Sequence, residues 1–132
     1  MKQNKKGFTL IELLAVIVIL AIIALIAVPV IMNIISNARK SAAADTAYSV
    51  LNAAELYYAE QLLENPNEAF AATTFTFTTT GDVTTVSPEL ELKGTMPTSG
   101  SVTLTSDGKA SISAALEING FSCSGVETIT CS

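Results

Sequence analysis

One carboxylate stands where water does not help it. Glu12 lies two residues into an apolar run that opens at Leu10, after Lys5-Lys6-Gly7-Phe8-Thr9, and continues to Ile35. At the centre of a membrane helix an acid costs about 2.5–3.5 kcal/mol on insertion scales, and less near the interface. An acid kept in such a place is a candidate functional residue by default. Cys123 and Cys131 are the other pair of reactive groups. They can form a disulfide in an oxidising compartment, or stay two free thiols. In one continuous strand they would lie about 26 Å apart, whereas a bridge needs Cα atoms nearer about 5.5 Å. A bridge therefore requires the chain to turn back, at Ser124-Gly125-Val126-Glu127. Two thiolates without a histidine supply half of a closed zinc shell, so no metal site is expected. With no histidine, no serine in a nucleophile motif and no carboxylate pair at a recognisable spacing, no catalytic residue, cofactor or enzyme activity is expected either.

The element that carries Glu12 is a helix apolar on every face. Between Glu12 and Arg39 there are 26 uncharged positions, which as a helix span roughly 39 Å. A bilayer's hydrocarbon core is about 30 Å thick, and a soluble core helix is rarely apolar all round for this length. The segment reads as membrane-spanning. Lys2, Lys5 and Lys6 place its start in the cytoplasm and the rest of the chain outside. A secretory signal peptide shares the basic start, but its apolar region is shorter, about 7–15 residues. A plain anchor fits the length and gives no reason for Glu12.

Lys-Lys-Gly-Phe-Thr-Leu-Ile-Glu followed by about twenty apolar residues resembles the leader and N-terminal signature of type IV prepilins and related pseudopilins. The resemblance covers about thirty residues. It implies that a membrane prepilin peptidase and methyltransferase cuts between Gly7 and Phe8 and N-methylates Phe8. It also implies that Glu12 of one subunit meets the Phe8 amine of a neighbour. The new α-amine has an ordinary pKa of about 7.7–8.0 and is charged at neutral pH. Neutralising two charges inside an apolar core rewards one register and penalises others. The implied partners are further copies in a helical filament, a membrane assembly platform, and lipid before assembly. The implied location is a single-pass membrane precursor with a cytoplasmic N-terminus, then a surface fibre. Pilins of this family often staple a C-terminal loop with a disulfide, which favours Cys123–Cys131. Pro29 stands where the family commonly has a proline. A proline removes a helical hydrogen bond to Leu25, and similar filaments lose helicity near Ala24–Pro29.

After Asn33 the helical spacing persists while polar residues enter. Ala38, Ala42, Ala47, Leu51, Ala54, Tyr58 and Leu62 recur three to five residues apart and predict one apolar stripe. Ala42, Ala43 and Ala44 would allow close approach of another element. Asn65-Pro66-Asn67 ends the helix, which the spacing places from about Phe8 to Glu64. Beyond Thr73 the period moves towards two. Strands are expected at Thr73–Thr80, Glu89–Lys93, Ser101–Thr105, Lys109–Ile118, Phe121–Cys123 and Thr128–Cys131. Asp107-Gly108 and Asn119-Gly120 read as two-residue hairpin turns. The expected fold is α+β, a long N-terminal helix against a small antiparallel sheet. Its expected divisions are a leader over 1–7, a membrane and filament-core helix over 8–35, an amphipathic helix over 36–64 and a β head over 65–132.

Charge narrows the function. Without the leader lysines, four basic residues face twelve acidic ones, so direct nucleic-acid binding is not expected. Two structural roles compete: a type IV pilus subunit for adhesion, motility or surface attachment, and a pseudopilin of a type II secretion or DNA-uptake machine. Asp107, Glu117 and Glu127 are dispersed rather than gathered in the C-terminal calcium loop of major secretion pseudopilins. The threonine-rich stretches serve first as good strand formers.

Overall fold

The computed structural model describes residues 7–132. One helix, α1 (Leu10–Glu64), precedes six strands: β1 (Thr73–Thr80), β2 (Val83–Ser87), β3 (Ser99–Leu104), β4 (Ala110–Ile118), β5 (Phe121–Ser124) and β6 (Thr130–Cys131). They form one antiparallel sheet in the order β2-β1-β3-β4-β5-β6. The fold is α+β, as the spacing predicts. The chain divides into two compact units within α1, between Asn37 and Ala38.

The first unit is the apolar part of α1. Its large hydrophobic side chains, from Leu10 to Ile35, are all exposed in the single subunit. The helix runs unbroken through Pro29, although the ring leaves the Leu25 carbonyl without its usual donor.

In the second unit the remainder of α1 packs on the sheet. The buried helix positions are Ala43, Ala47, Val50, Leu51 and Ala54. Ala38 and Ala42 are exposed and Leu62 is 38% exposed, so the stripe differs from the expected one. Adjacent helix positions differ by about 100° of rotation. In a run of three alanines, composition does not select which one faces inward. The sheet selects it, and the Cβ-only side chains of Ala43, Ala47 and Ala54 let it come close. Facing them are Phe75 and Phe77 from β1, Val102 and Leu104 from β3, Leu116 and Ile118 from β4, and Cys123 from β5. Tyr57 meets Phe75 edge-on with ring centroids 5.2 Å apart, and Tyr58 meets Phe70 at 4.9 Å.

β1 occupies its expected span, with both phenylalanines buried between exposed threonines. The expected strand at Glu89–Lys93 is not formed. Those residues belong to the connection from β2 to β3, where Leu90 is buried and Leu92 half-buried against the core. Their alternation anchors a loop; it does not mark a ladder. Pro88 and Pro97 bracket the segment, and neither can donate a ladder hydrogen bond. The strand in its place is β2. Val83-Thr-Thr-Val86 does not alternate, which hides it from a period-two reading. Its signals are β-branched density and the Gly81-Asp82 pair between Thr80 and Val83.

The hairpins settle the register. Ile118 pairs with Phe121 across Asn119-Gly120, both with positive φ, so this is a two-residue turn. The Asp107-Gly108 connection is instead a three-residue loop. Thr105 N–H donates to the Lys109 carbonyl at 3.0 Å, and Gly108 N–H donates to the Thr105 carbonyl at 3.0 Å. Gly108 has φ +87 and lies against the Tyr58 ring, so a Cβ there would overlap the ring. This is the type I turn with a left-handed glycine that favours three-residue hairpins. β6 is shorter than expected and begins at Thr130.

Candidate processing and assembly site

The helix start explains where the candidate residues sit. Leu13 N–H donates to the Thr9 carbonyl at 3.1 Å, the first rung of the helical ladder. Thr9 is therefore the N-cap, and α1 begins at Leu10 rather than Phe8. Two further bonds close around it. Glu12 N–H donates to Thr9 Oγ1 at 3.2 Å, and Thr9 N–H donates to Glu12 Oε2 at 3.3 Å. This is a reciprocal capping box, which satisfies two amides that a helix start leaves without partners. Sequence reasoning assigned no role to Thr9. The signal was present, because Thr-x-x-Glu before an apolar run is the capping-box pattern.

Gly7 and Phe8 precede the helix. Phe8 is 90% exposed, and nothing lies within 4 Å of the place a Gly7 Cβ would take. The peptide between them is therefore an exposed, non-helical bond, the kind of backbone a protease can reach. Gly7, Phe8, Thr9 and Glu12 are gathered at one helix end. Lys2, Lys5 and Lys6 fall outside the described residues. Pro29 lies further along α1 and takes no part in this cluster. Beyond Glu12 the helix is long and apolar enough to cross a membrane, and none of its most apolar stretch is buried.

At the far end of the chain Cys123 and Cys131 are joined, with Cα atoms 4.1 Å apart. They stand directly opposite in β5 and β6. The neighbouring pair, Ser122 and Ser132, exchanges both backbone hydrogen bonds, at 3.1 and 3.0 Å. That leaves the cysteines at a non-hydrogen-bonded site, where Cα atoms approach closest. The turn between the strands runs over residues 125–129, with Val126 exposed. Among the described residues no group of three or more histidine, cysteine or acidic side chains is placed to hold a metal ion.

Residues 2–28 match the family model described as the prokaryotic N-terminal methylation motif. No curated protein and no solved structure matches the chain significantly. The chain thus carries the type IV pilin, or class III signal peptide, motif. The match supports a type IV pilin-like or pseudopilin protein. An apolar N-terminal helix together with this motif fits membrane anchoring.

Proposed function

We infer that this chain is the structural subunit of a type IV pilus. The carrying observation is the pairing of the methylation motif over residues 2–28 with a formed helix whose large apolar side chains, Leu10 to Ile35, are all exposed in the single subunit. That surface needs a cover. Lipid supplies it first, and the same surface of other copies supplies it after assembly.

In this reading residues 1–7 are a leader, cut between Gly7 and Phe8 by a prepilin peptidase that also methylates Phe8. Residues 8–35 span the membrane and then form the filament core. Residues 36–64 and 65–132 make the part outside the membrane. An assembly platform lifts subunits from the bilayer, with Glu12 of one copy meeting the charged Phe8 amine of the next. The Glu12 carboxylate acts there as a register device, since a misaligned copy would leave two unpaired charges in an apolar core. Pro29 gives the core helix a place to bend as copies pack. The Cys123–Cys131 bridge suits an oxidising exterior. The finished fibre serves adhesion, motility or surface attachment, as a structural element and not as an enzyme.

Mass spectrometry of sheared surface fibres tests this directly. The expected result is an abundant chain beginning at N-methylated Phe8. A chain in the envelope that begins at Met1, or well beyond Phe8, defeats the reading. A chain correctly processed but absent from surface fibres moves it to a pseudopilin.

A further inference from the structure

The sheet has two edges, and they are not alike. β6 is two residues long, and so short an edge strand offers little to a partner. β2, at the other edge, has five residues and pairs with β1 alone. It holds no lysine, no proline and no charge, and its register with β1 runs without a bulge. The usual guards of an edge are missing from the strand. We propose that this edge pairs with the β2 edge of a second copy, about a two-fold axis at Thr85, and so joins two fibres. The consequence for fibres rests on the pilus reading; the pairing rests on the sheet alone.

The register fixes the geometry. Thr80 pairs with Val83 across Gly81-Asp82, and Gly81 has φ +65, so this is a two-residue turn with glycine first. Such a turn makes its flanking residues a hydrogen-bonded pair, and the ladder alternates from there. Val83, Thr85 and Ser87 therefore turn their backbone groups towards β1, while Thr84 and Val86 turn theirs to the free edge. A two-fold axis through Thr85 sets Thr84 of one copy opposite Val86 of the other. Each such pair exchanges both backbone hydrogen bonds, which leaves no outward group of Thr84 or Val86 unpaired. Thr85 then faces its own counterpart at a non-hydrogen-bonded site, where Cα atoms approach to about 4.5 Å. Opposed positions differ by an even number, so the faces of the two sheets stay continuous.

The symmetry of the outward groups about Thr85 is what fits a second copy. Charge agrees with it. Without the leader lysines four basic residues face twelve acidic ones, so copies repel each other over most of their surface. Val83–Pro88 is uncharged between Asp82 and Glu89, and there two copies can meet. Asp82 of one copy comes near Glu89 of the other at each end of the seam, a repulsion that salt screens. One such pairing is slight, but copies along two fibres repeat it, and linked contacts reinforce each other. α1 lies on the sheet through Ala43, Ala47 and Ala54, so an axis normal to the sheet reverses its direction. Helices within one fibre share a direction in the filament described above. The seam therefore joins fibres that run in opposite directions.

The native cysteines are bridged, so one added thiol reports the seam. Full-length T85C and V83C chains are mildly oxidised, in sheared fibres and in detergent, and covalent dimer is read on non-reducing gels. Both positions are exposed on the same edge. In the seam, however, Val83 lies opposite Ser87 of the other copy, about 13 Å from its own counterpart. T85C is expected to give at least about tenfold more dimer than V83C, since a disulfide needs close Cα atoms. T85K sets like charges face to face at the axis. It should keep parental fibre yield and show several-fold fewer bundles by electron microscopy. Added salt should increase bundling of parental fibres. Equal dimer from T85C and V83C, or none from T85C, overturns the seam. So do parental fibres that stay single, and bundles that persist in T85K or dissolve as salt rises. Absence of surface fibres from parental cells defeats the pilus reading alone, and T85C in detergent then decides the seam.

Discussion

The hydroxyl of Tyr48 on α1 accepts the backbone N–H of Ile129 at 2.9 Å, joining residues 81 positions apart. Ile129 is buried, in the turn between β5 and β6. β6 is an edge strand of the sheet, and the tyrosine ties this last segment of the chain to the helix. Tyr48→Phe removes the acceptor and leaves a buried N–H without a partner. The expected loss is about 1–2 kcal/mol, read by denaturant unfolding of the detergent-solubilised chain. Faster exchange of the Ile129 amide should accompany it, and unchanged exchange would mean that water takes the tyrosine's place.

The disulfide acts on the same segment. Cys123 and Cys131 close a loop of sequence separation 8 that ends in the two-residue β6. For so short a loop the chain-entropy argument gives about 2–3 kcal/mol. The double C123A/C131A variant should lose that amount, with β6 fraying before the rest of the sheet. Alkylation of the unreduced chain should modify neither cysteine, and mass measurement checks it.

Gly108→Ala should be costly out of proportion to its size. The position has φ +87, and an added Cβ would overlap the Tyr58 ring. Backbone strain alone exceeds about 1 kcal/mol at such a position. The displaced ring adds to it, because Tyr58 also packs edge-on against Phe70. Unfolding of G108A beside G120A separates the two terms, since Gly120 has φ +83 and nothing within 4 Å of its Cβ position.

The three consecutive alanines provide a test of helix rotation. Ala43 is fully buried and Ala42 exposed. Ala43→Leu should destabilise the chain by about 1–3 kcal/mol through overpacking, while Ala42→Leu should change stability by less than about 0.5 kcal/mol. Equal effects would mean that the helix is rotated relative to the sheet.

Glu12→Ala should leave the Gly7–Phe8 bond cleavable, since the bond is exposed and lies outside the helix. Fibre yield should fall at least about tenfold, because the neighbour's amine would then be an uncompensated charge in an apolar core. Parental yield would remove Glu12 from the assembly step.

Local patterns carried much of this protein. An uncharged stretch between Glu12 and Arg39 is a statement about hydration, and it needs no partner to be read as a helix that avoids water. Phe75 and Phe77 between threonines, and Asn119-Gly120 between apolar residues, are likewise local, so β1 and the β4–β5 turn stand where the residues predict. The methylation motif is a contiguous string, legible for the same reason.

The tertiary structure decided what depends on residues far apart. Which alanine of Ala42–Ala44 faces inward is set by the sheet, because three identical side chains hold no preference among themselves. Whether Leu90 and Leu92 lie in a strand or a loop is decided by the core that receives them, while β2 takes the place beside β1. The closure of Cys123 on Cys131 follows from β5 and β6 pairing in one register, which Tyr48 on the distant helix helps to hold. Spacing along a chain dictates how each segment prefers to coil. Which segments meet is settled by apolar area that has to be covered, and that is a property of the whole surface.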